Sequence, residues 1–451
     1  MPLPLRPLIL SVLILLGAVA PSFAVDPPPS LYVATTGIDT NPGTKDLPLR
    51  TLAAALSKAQ VDNTIFVRRG TYRQTGTLNI SKAGVIIRAM AGETPTIEHG
   101  DFAGAMFNIN AARVMLYGLV LDGRYVSGSR AITGQPNGNH FTAQNLTVRK
   151  FTRHALDIDG SDCQIVSCTI QYILWYDQAQ GGRVDAHGIV TTDAQRLTIR
   201  GCTISNVSGD CFQAGRGNWQ DVTIQNCDFR DSPLPSAAAG FPKGALTAEN
   251  AIDTKVSTSR APARLTISGC KLGGFRTTLI SNAAALNLKE NVEVVVDSCT
   301  VFQSAIGLRL RAPATVWVIN SLIKNCDTGV RYEDDLANLK FAHNTIYNCK
   351  ASFKRAPSGS PGGAGWLVAN NLFPGASQLP AEAPGPLNVK CPAASVDSTT
   401  LIPKTNSGLL GTPVANFPLP TWYSGTGLRY DMAKKLRSTS APTLGGYEYV
   451  P

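Results

Sequence analysis

"TIRGCTI" (residues 198–204) and "TIQNCDF" (residues 223–229) share one form: apolar-leaning residues, a small polar pair, then an apolar residue. The form returns as "TISGCKL", "VVDSCTV", "WVINSLI", "KFAHNTI" and "LVANNLF", and less regularly as "QIVSCTI" and "MLYGLVL". Its fifth residue falls at 119, 168, 202, 227, 270, 299, 321, 344 and 371, and a weaker copy at Phe151 fills the first gap. The shortest spacings, 22 and 23, set the period. A period of that length, built from short strands and tight turns, specifies a solenoid. About three short strands fit in each repeat. The fold class is therefore all-β, a single-stranded parallel β-helix of ten or so coils stacked at the strand spacing of about 4.8 Å.

The column at the fifth position is small throughout. Cys168, Cys202, Cys227, Cys270 and Cys299 are followed by Ser321, Asn344 and Asn371, and Cys326 and Cys349 form a second column. Stacked cysteines have parallel Cβ vectors, which suits a disulfide poorly. They read as reduced fillers of the core.

Each coil carries another strand just before the "LTI"-type strand. Aligned, these are "LDID" at Leu156, "IVTT" at Ile189, "FQAG" at Phe212, "IDTK" at Ile252, "LNLK" at Leu286, "LRLR" at Leu308 and "VRYE" at Val330. Strand side chains alternate faces, so the first and third members point inward and the others outward. The outward residues form two ladders. One runs Asp157, Val190, Gln213, Asp253, Asn287, Arg309, Arg331; the other runs Asp159, Thr192, Gly215, Lys255, Lys289, Arg311, Glu333. Two insertions, roughly 171–186 and 231–248, immediately precede strands of this set and would make the walls of a groove. The first holds Trp175 and Tyr176, whose rings suit sugar stacking as well as packing. Asp185, His187, Asp210 and Glu249 mark the strand entrances.

The ends differ from the repeat. Residues 1–24 read as a secretory signal peptide, with Arg6 its only charge and "LILSVLILLGAVA" its apolar core, so the expected destination is secreted or periplasmic. Residues 25–60 would hold an opening strand and a capping helix at "TLAAALSKA", residues 61–375 the solenoid, and 376–451 a Pro/Gly-rich segment packed on it. The formal net charge of +10 suits an acidic polysaccharide partner. No nucleic-acid motif and no mature membrane span is present, and a monomer is expected.

The opening segment "LYVATTGIDTNPGTKDLPLRTLAAAL" and the finish "PTLGGYEYVP" resemble those of secreted right-handed parallel β-helix proteins of the pectate-lyase-like superfamily. The resemblance implies that the ladder face and its loops form a substrate groove. It also implies proton abstraction at C5 of a hexuronate, and so a polysaccharide lyase acting by β-elimination. The substrate carboxylate must then be neutralised by calcium or by cations. A lysine with cationic neighbours loses affinity for its own proton. Lys255, beside Lys289 and Arg311, is therefore the expected base, with Arg309 assisting. Lys289, Arg311, Gln213, Asn287, Asp157, Asp185, Trp175 and Tyr176 are expected to bind substrate. Asp210, Glu249 and Asp253 can supply oxygen ligands for calcium. "VDAHG" resembles the Asp-Pro-His motif of alginate C5-epimerases, with Asp185 and His187 matching and Ala186 in place of Pro, which makes a C5-epimerase using His187 the alternative. A non-catalytic polysaccharide-binding protein is the third reading. The clustered aspartates and Gly-His-Gly of polygalacturonase-like hydrolases are not present.

Overall fold

A computed structural model describes residues 30–447 apart from 257–259, 277–279, 358–362, 364, 386, 405–416 and 440–441. The signal-peptide segment lies outside the described residues. The chain winds as a parallel β-helix whose coils contribute one strand each to three long sheets. The first sheet has 13 strands, from Ser30–Val33 to Leu367–Ala369. The second has 11, from Leu78–Ile80 to Ala351–Arg355, and the third has 13, ending at Val389–Cys391. Every neighbour in these sheets pairs in parallel, coil upon coil.

Inward residues stack as like on like. Ile165, Ile199, Ile224 and Ile267 sit in register and are fully buried. Each such side chain contributes about 1.5–3 kcal/mol by leaving water. The small column is more than filler. The Cys168 N–H meets the Sγ of Cys202, and the Cys227 N–H meets the Sγ of Cys270. The pattern continues as Cys299 N–H to Ser321 Oγ (3.1 Å), Ser321 N–H to Asn344 Oδ1 (2.9 Å) and Asn344 N–H to Asn371 Oδ1 (2.9 Å). At these five steps the column residue satisfies a turn N–H of the preceding coil, which burial would otherwise make costly. All ten cysteines are free thiols.

Two readings need correction. The missing column member is Leu146, not Phe151, because Thr147 pairs with Thr169 and so places Leu146 beneath Cys168. The coil count was short because the first coils carry Gly70 and Pro95 at the column position, and neither repeats the polar–small signature.

The helix Leu52–Lys58 has Thr51 as its N-cap, with Oγ1 accepting from the Ala54 N–H. Asp39 anchors that cap by accepting from the N–H groups of Arg50 and Thr51. At the far end the chain folds back along the first sheet, where Trp422 Nε1 donates to Glu293 and Tyr423 Oη to Asp297. Among the described residues no helix is long and apolar enough to cross a membrane.

Candidate active site

The second sheet carries the expected ladder in the expected register. Leu156, Ile189, Phe212, Ile252, Leu286, Leu308 and Val330 pair in succession, so Asp157, Val190, Gln213, Asp253, Asn287, Arg309 and Arg331 stand in one outer row. The row is not an open face, however. Asp253 is 3% exposed and Asn287 2%, and Lys255, Lys289 and Asn287 close on the Asp253 carboxylate.

The two insertions join into a single wall. Trp175–Asp177 pairs antiparallel with Gly182–Val184, raising a hairpin from the solenoid. Arg183 Nε donates to the Thr247 carbonyl of the other insertion at 2.9 Å. Leu174, Leu234 and Phe241 form a small core between them. This packing engages the two aromatic rings assigned to sugar stacking, though Tyr176 stays 39% exposed. The Arg153 guanidinium lies 3.5 Å from the Trp175 ring centre, and Tyr176 packs edge-on against Phe241. Both belong to the wall.

At the foot of this wall lies the main charge cluster. Lys289 Nζ is 2.8 Å from Asp253 Oδ1, and Lys255 Nζ is 3.4 Å from Asp253 Oδ2. Asn287 Nδ2 also donates to Asp253 Oδ1. One coil earlier, the fully buried Asp210 accepts from Asn250 Nδ2 (2.7 Å) and Gln213 Nε2 (2.8 Å). Burial, then Asp253 and Glu249, hold its carboxyl well above the usual range. Glu249 is half-buried and is also pushed up, by burial and then by Asp185. Asp185 itself is exposed beside Arg183, at 3.3 Å.

His187 sits in this cluster as a neutral ring. The Asp210 backbone N–H donates to its Nδ1 at 2.7 Å, so the ring proton resides on Nε2. The approach depends on Gly209, where a Cβ would lie 2.5 Å from that nitrogen. Burial, then His154 and Lys255, keeps the ring's proton affinity well below normal. His187 therefore offers a donor rather than a basic lone pair. His154 stacks on it at 5.1 Å and accepts from the His187 N–H.

Other expectations fail for electrostatic reasons. Arg309 is committed to Glu333 through two bonds of 2.7 and 3.0 Å. Arg331 and Arg311 converge on the same carboxylate, and Arg311 also binds Asp334. The assisting role given to Arg309 and the carboxylate-binding role given to Arg311 are thus met by the protein's own acids. Asp157 stands on the same sheet, but two coils before Gln213 and apart from the lysines; burial and then Asp159 push it up to about 6.

The calcium set also fits poorly. Both Asp210 oxygens accept from amides, and Asp253 is bridged by two ammonium groups where a cation would have to sit. Among the described residues no three His, Cys, Asp or Glu side chains gather to hold a metal ion. Lys255, Lys289, Asn287, Gln213, Asp185, Glu249 and His187 do come together. Arg183 and His154 were missed because neither follows the repeat.

Comparison with known proteins follows this geometry. A family model described as the Pel9A-like right-handed β-helix region matches residues 31–235, and one for the right-handed β-helix region matches 187–373. Pectate lyase PEL9 of Emericella nidulans is 32% identical over 87 residues, covering 18% of this chain and 21% of that protein. The uncharacterized protein YwoF of Bacillus subtilis is 35% identical over 89 residues, covering 19% of each. The matched region thus spans about a fifth of the length of these relatives. A solved rhamnogalacturonan lyase superposes with a TM-score of 0.51 at 16% identity, covering 76% of this chain and 87% of that one, which shows a shared fold.

Proposed function

The chain belongs to the right-handed parallel β-helix proteins of the pectate-lyase-like superfamily, and from that premise we propose that it is a polysaccharide lyase acting on a uronate-containing chain. The observation that carries this reading is the Lys255–Asp253–Lys289 cluster on the second sheet, at the foot of a wall. A lysine that serves as a base must be fixed in position, and it must be stabilised once it has gained a proton. Asp253 does both, at 3.4 Å from Lys255 and 2.8 Å from Lys289.

The step balances without a cofactor. Lys255, paired with Asp253 as an ammonium, first gives up a proton to solvent and then, as the amine, takes the C5 proton of a uronate. The electron pair of that C–H bond forms the C4–C5 double bond, the C4–O bond breaks, and the leaving oxygen takes up a proton from water. Charge grows on the substrate carboxylate as the proton leaves. His187, neutral with its proton on Nε2, is assigned the hydrogen bond to that charge, and preorganised donors lower the barrier. No step is routed through calcium: of the acids expected to bind it, Asp210 and Asp253 already hold protein partners on both oxygens, which leaves Glu249 alone. Secretion remains part of this proposal, on the strength of the N-terminal signal.

The test is incubation with pectate, alginate and glycosaminoglycans, followed by the ultraviolet absorbance of an unsaturated uronate. Absorbance that grows with the wild-type chain and not with Lys255→Met supports the reading. Binding to the panel with no new absorbance would replace it with a non-catalytic binding role.

A further inference from the structure

The wall has a second side. Past the insertion 231–248 and the passage 274–283 of the coil that follows it, three successive coils pass from the third sheet to the second through only three residues each: 303–305, 325–327 and 348–350. A tall loop beside short turns leaves a step. In the angle of that step is a cleft of about 660 Å³, bounded by Ser232, Pro233 and Leu246 at the root of the insertion. This is within the range of small-ligand sites, roughly 300–1,000 Å³.

The floor of the cleft is made of amides. Gln303, Asn325 and Asn348 occupy equivalent turn positions in the left-handed region, at φ 47°, 58° and 51°. Asparagine suits that conformation for local reasons, but glutamine has no such preference. Asn348 Nδ2 donates to Asn325 Oδ1 at 2.7 Å. Asn325 Nδ2, Asn348 Oδ1 and the whole Gln303 amide have no protein partner among the described residues.

The rim carries two cations. Arg276 Nη1 lies 3.0 Å and Lys350 Nζ 2.8 Å from opposite oxygens of Asp327. Asp231 also lines the cleft, so the charges balance, but it is buried with both oxygens accepting from Thr247, which leaves Lys350 as the charge open to a ligand. Lys350 is 81% exposed and keeps N–H donors free toward the cleft. Amides that both donate and accept, next to an exposed ammonium, match the hydroxyl groups and carboxylate of a sugar acid.

We propose that this cleft is a second saccharide site, distinct from the Lys255 cluster, that takes a short acidic oligosaccharide. The amides of Gln303, Asn325 and Asn348 hold its hydroxyl groups, and Lys350 with Arg276 holds its carboxylate. The proposal shares the acidic-saccharide part of the functional reading and does not depend on elimination at Lys255.

The experiment is calorimetric titration of the full chain carrying Lys255→Met, so that no ligand is consumed. The ligands are galacturonate and mannuronate trimers, with a neutral glucose trimer as control. Two binding events are expected with an acidic trimer. Gln303→Gly with Asn348→Gly, which keeps the turn conformation, should abolish one event and leave the other. Lys350→Glu, at a side chain too exposed to affect folding, should weaken that same event about tenfold, the loss of one charged hydrogen bond. A single event, or a second event unchanged in both variants, would overturn the proposal. In the Lys255 background, the Gln303→Gly/Asn348→Gly chain should retain its elimination rate on short substrates. Absence of elimination in every form would remove the lyase reading and leave the titration result standing.

Discussion

Lys289 and Asp253 meet across neighbouring coils, with Nζ 2.8 Å from Oδ1, and Lys255 approaches the same carboxylate from its own strand. One buried acid therefore organises two cations. Removing the acid and removing one of the cations should have different consequences.

Lys255→Met should leave the fold intact, because Lys289 still holds Asp253, while elimination falls at least about 100-fold. Asp253→Asn leaves two ammonium groups without their counter-charge. It should lower both activity and stability, the latter by about 3 kcal/mol. Urea unfolding of the two variants beside the wild type distinguishes these outcomes. Equal destabilisation by both would show that Lys255, rather than Lys289, is the structural partner.

His154 links the groove to acid stability. Burial, followed by Arg130 and Arg153, lowers its pKa from 6.5 to about 4. Between those values the unfolded chain binds a proton that the folded chain does not, so stability falls as pH drops through the window. Moving from pH 7 to pH 5 should cost the wild type about 2 kcal/mol more than His154→Gln. Asp157 and Asp231, each raised to about 6, act in the opposite sense and are common to both proteins. The comparison therefore isolates His154, and identical slopes for the two proteins would exclude its neutral burial.

Nine of the ten cysteines are buried, and only Cys349 is partly accessible. A chromogenic thiol reagent should therefore titrate about one thiol in the native protein and ten after denaturation. Fewer than ten in denaturant, without a reductant, would reveal disulfides and refute the reduced column.

Glu333 holds three arginines, with Arg309 bound through both its oxygens. Glu333→Gln should release cationic charge onto the second sheet. Retention on an anionic polysaccharide column should then extend to higher salt, while the melting temperature falls. Unchanged retention would mean that this stretch of the ladder does not face the ligand.

The repeat in the sequence was strong enough to specify coils, strand order and register. Side chains on a strand alternate with period two, and one small residue per coil must satisfy a turn N–H. Ile252 and Asp253 could therefore be assigned to opposite faces, and Leu286 placed against Leu308, from spacing alone. The first coils escaped because Gly70 and Pro95 break the signature without breaking the winding.

What the sequence could not supply was the pairing of the charges. Whether Arg309 meets a ligand or Glu333, whether Tyr176 lines a groove or packs on Phe241, and which nitrogen of His187 carries its proton all depend on distances of a few ångströms between residues from different coils and loops. The insertions that set those distances have no period to read. Local alternation of apolar and polar residues determined the solenoid and its outer row; tertiary packing alone decided which members of that row are neutralised by the protein and which are not. Burial and Coulomb attraction act through space, and they follow the folded surface rather than the order of the chain.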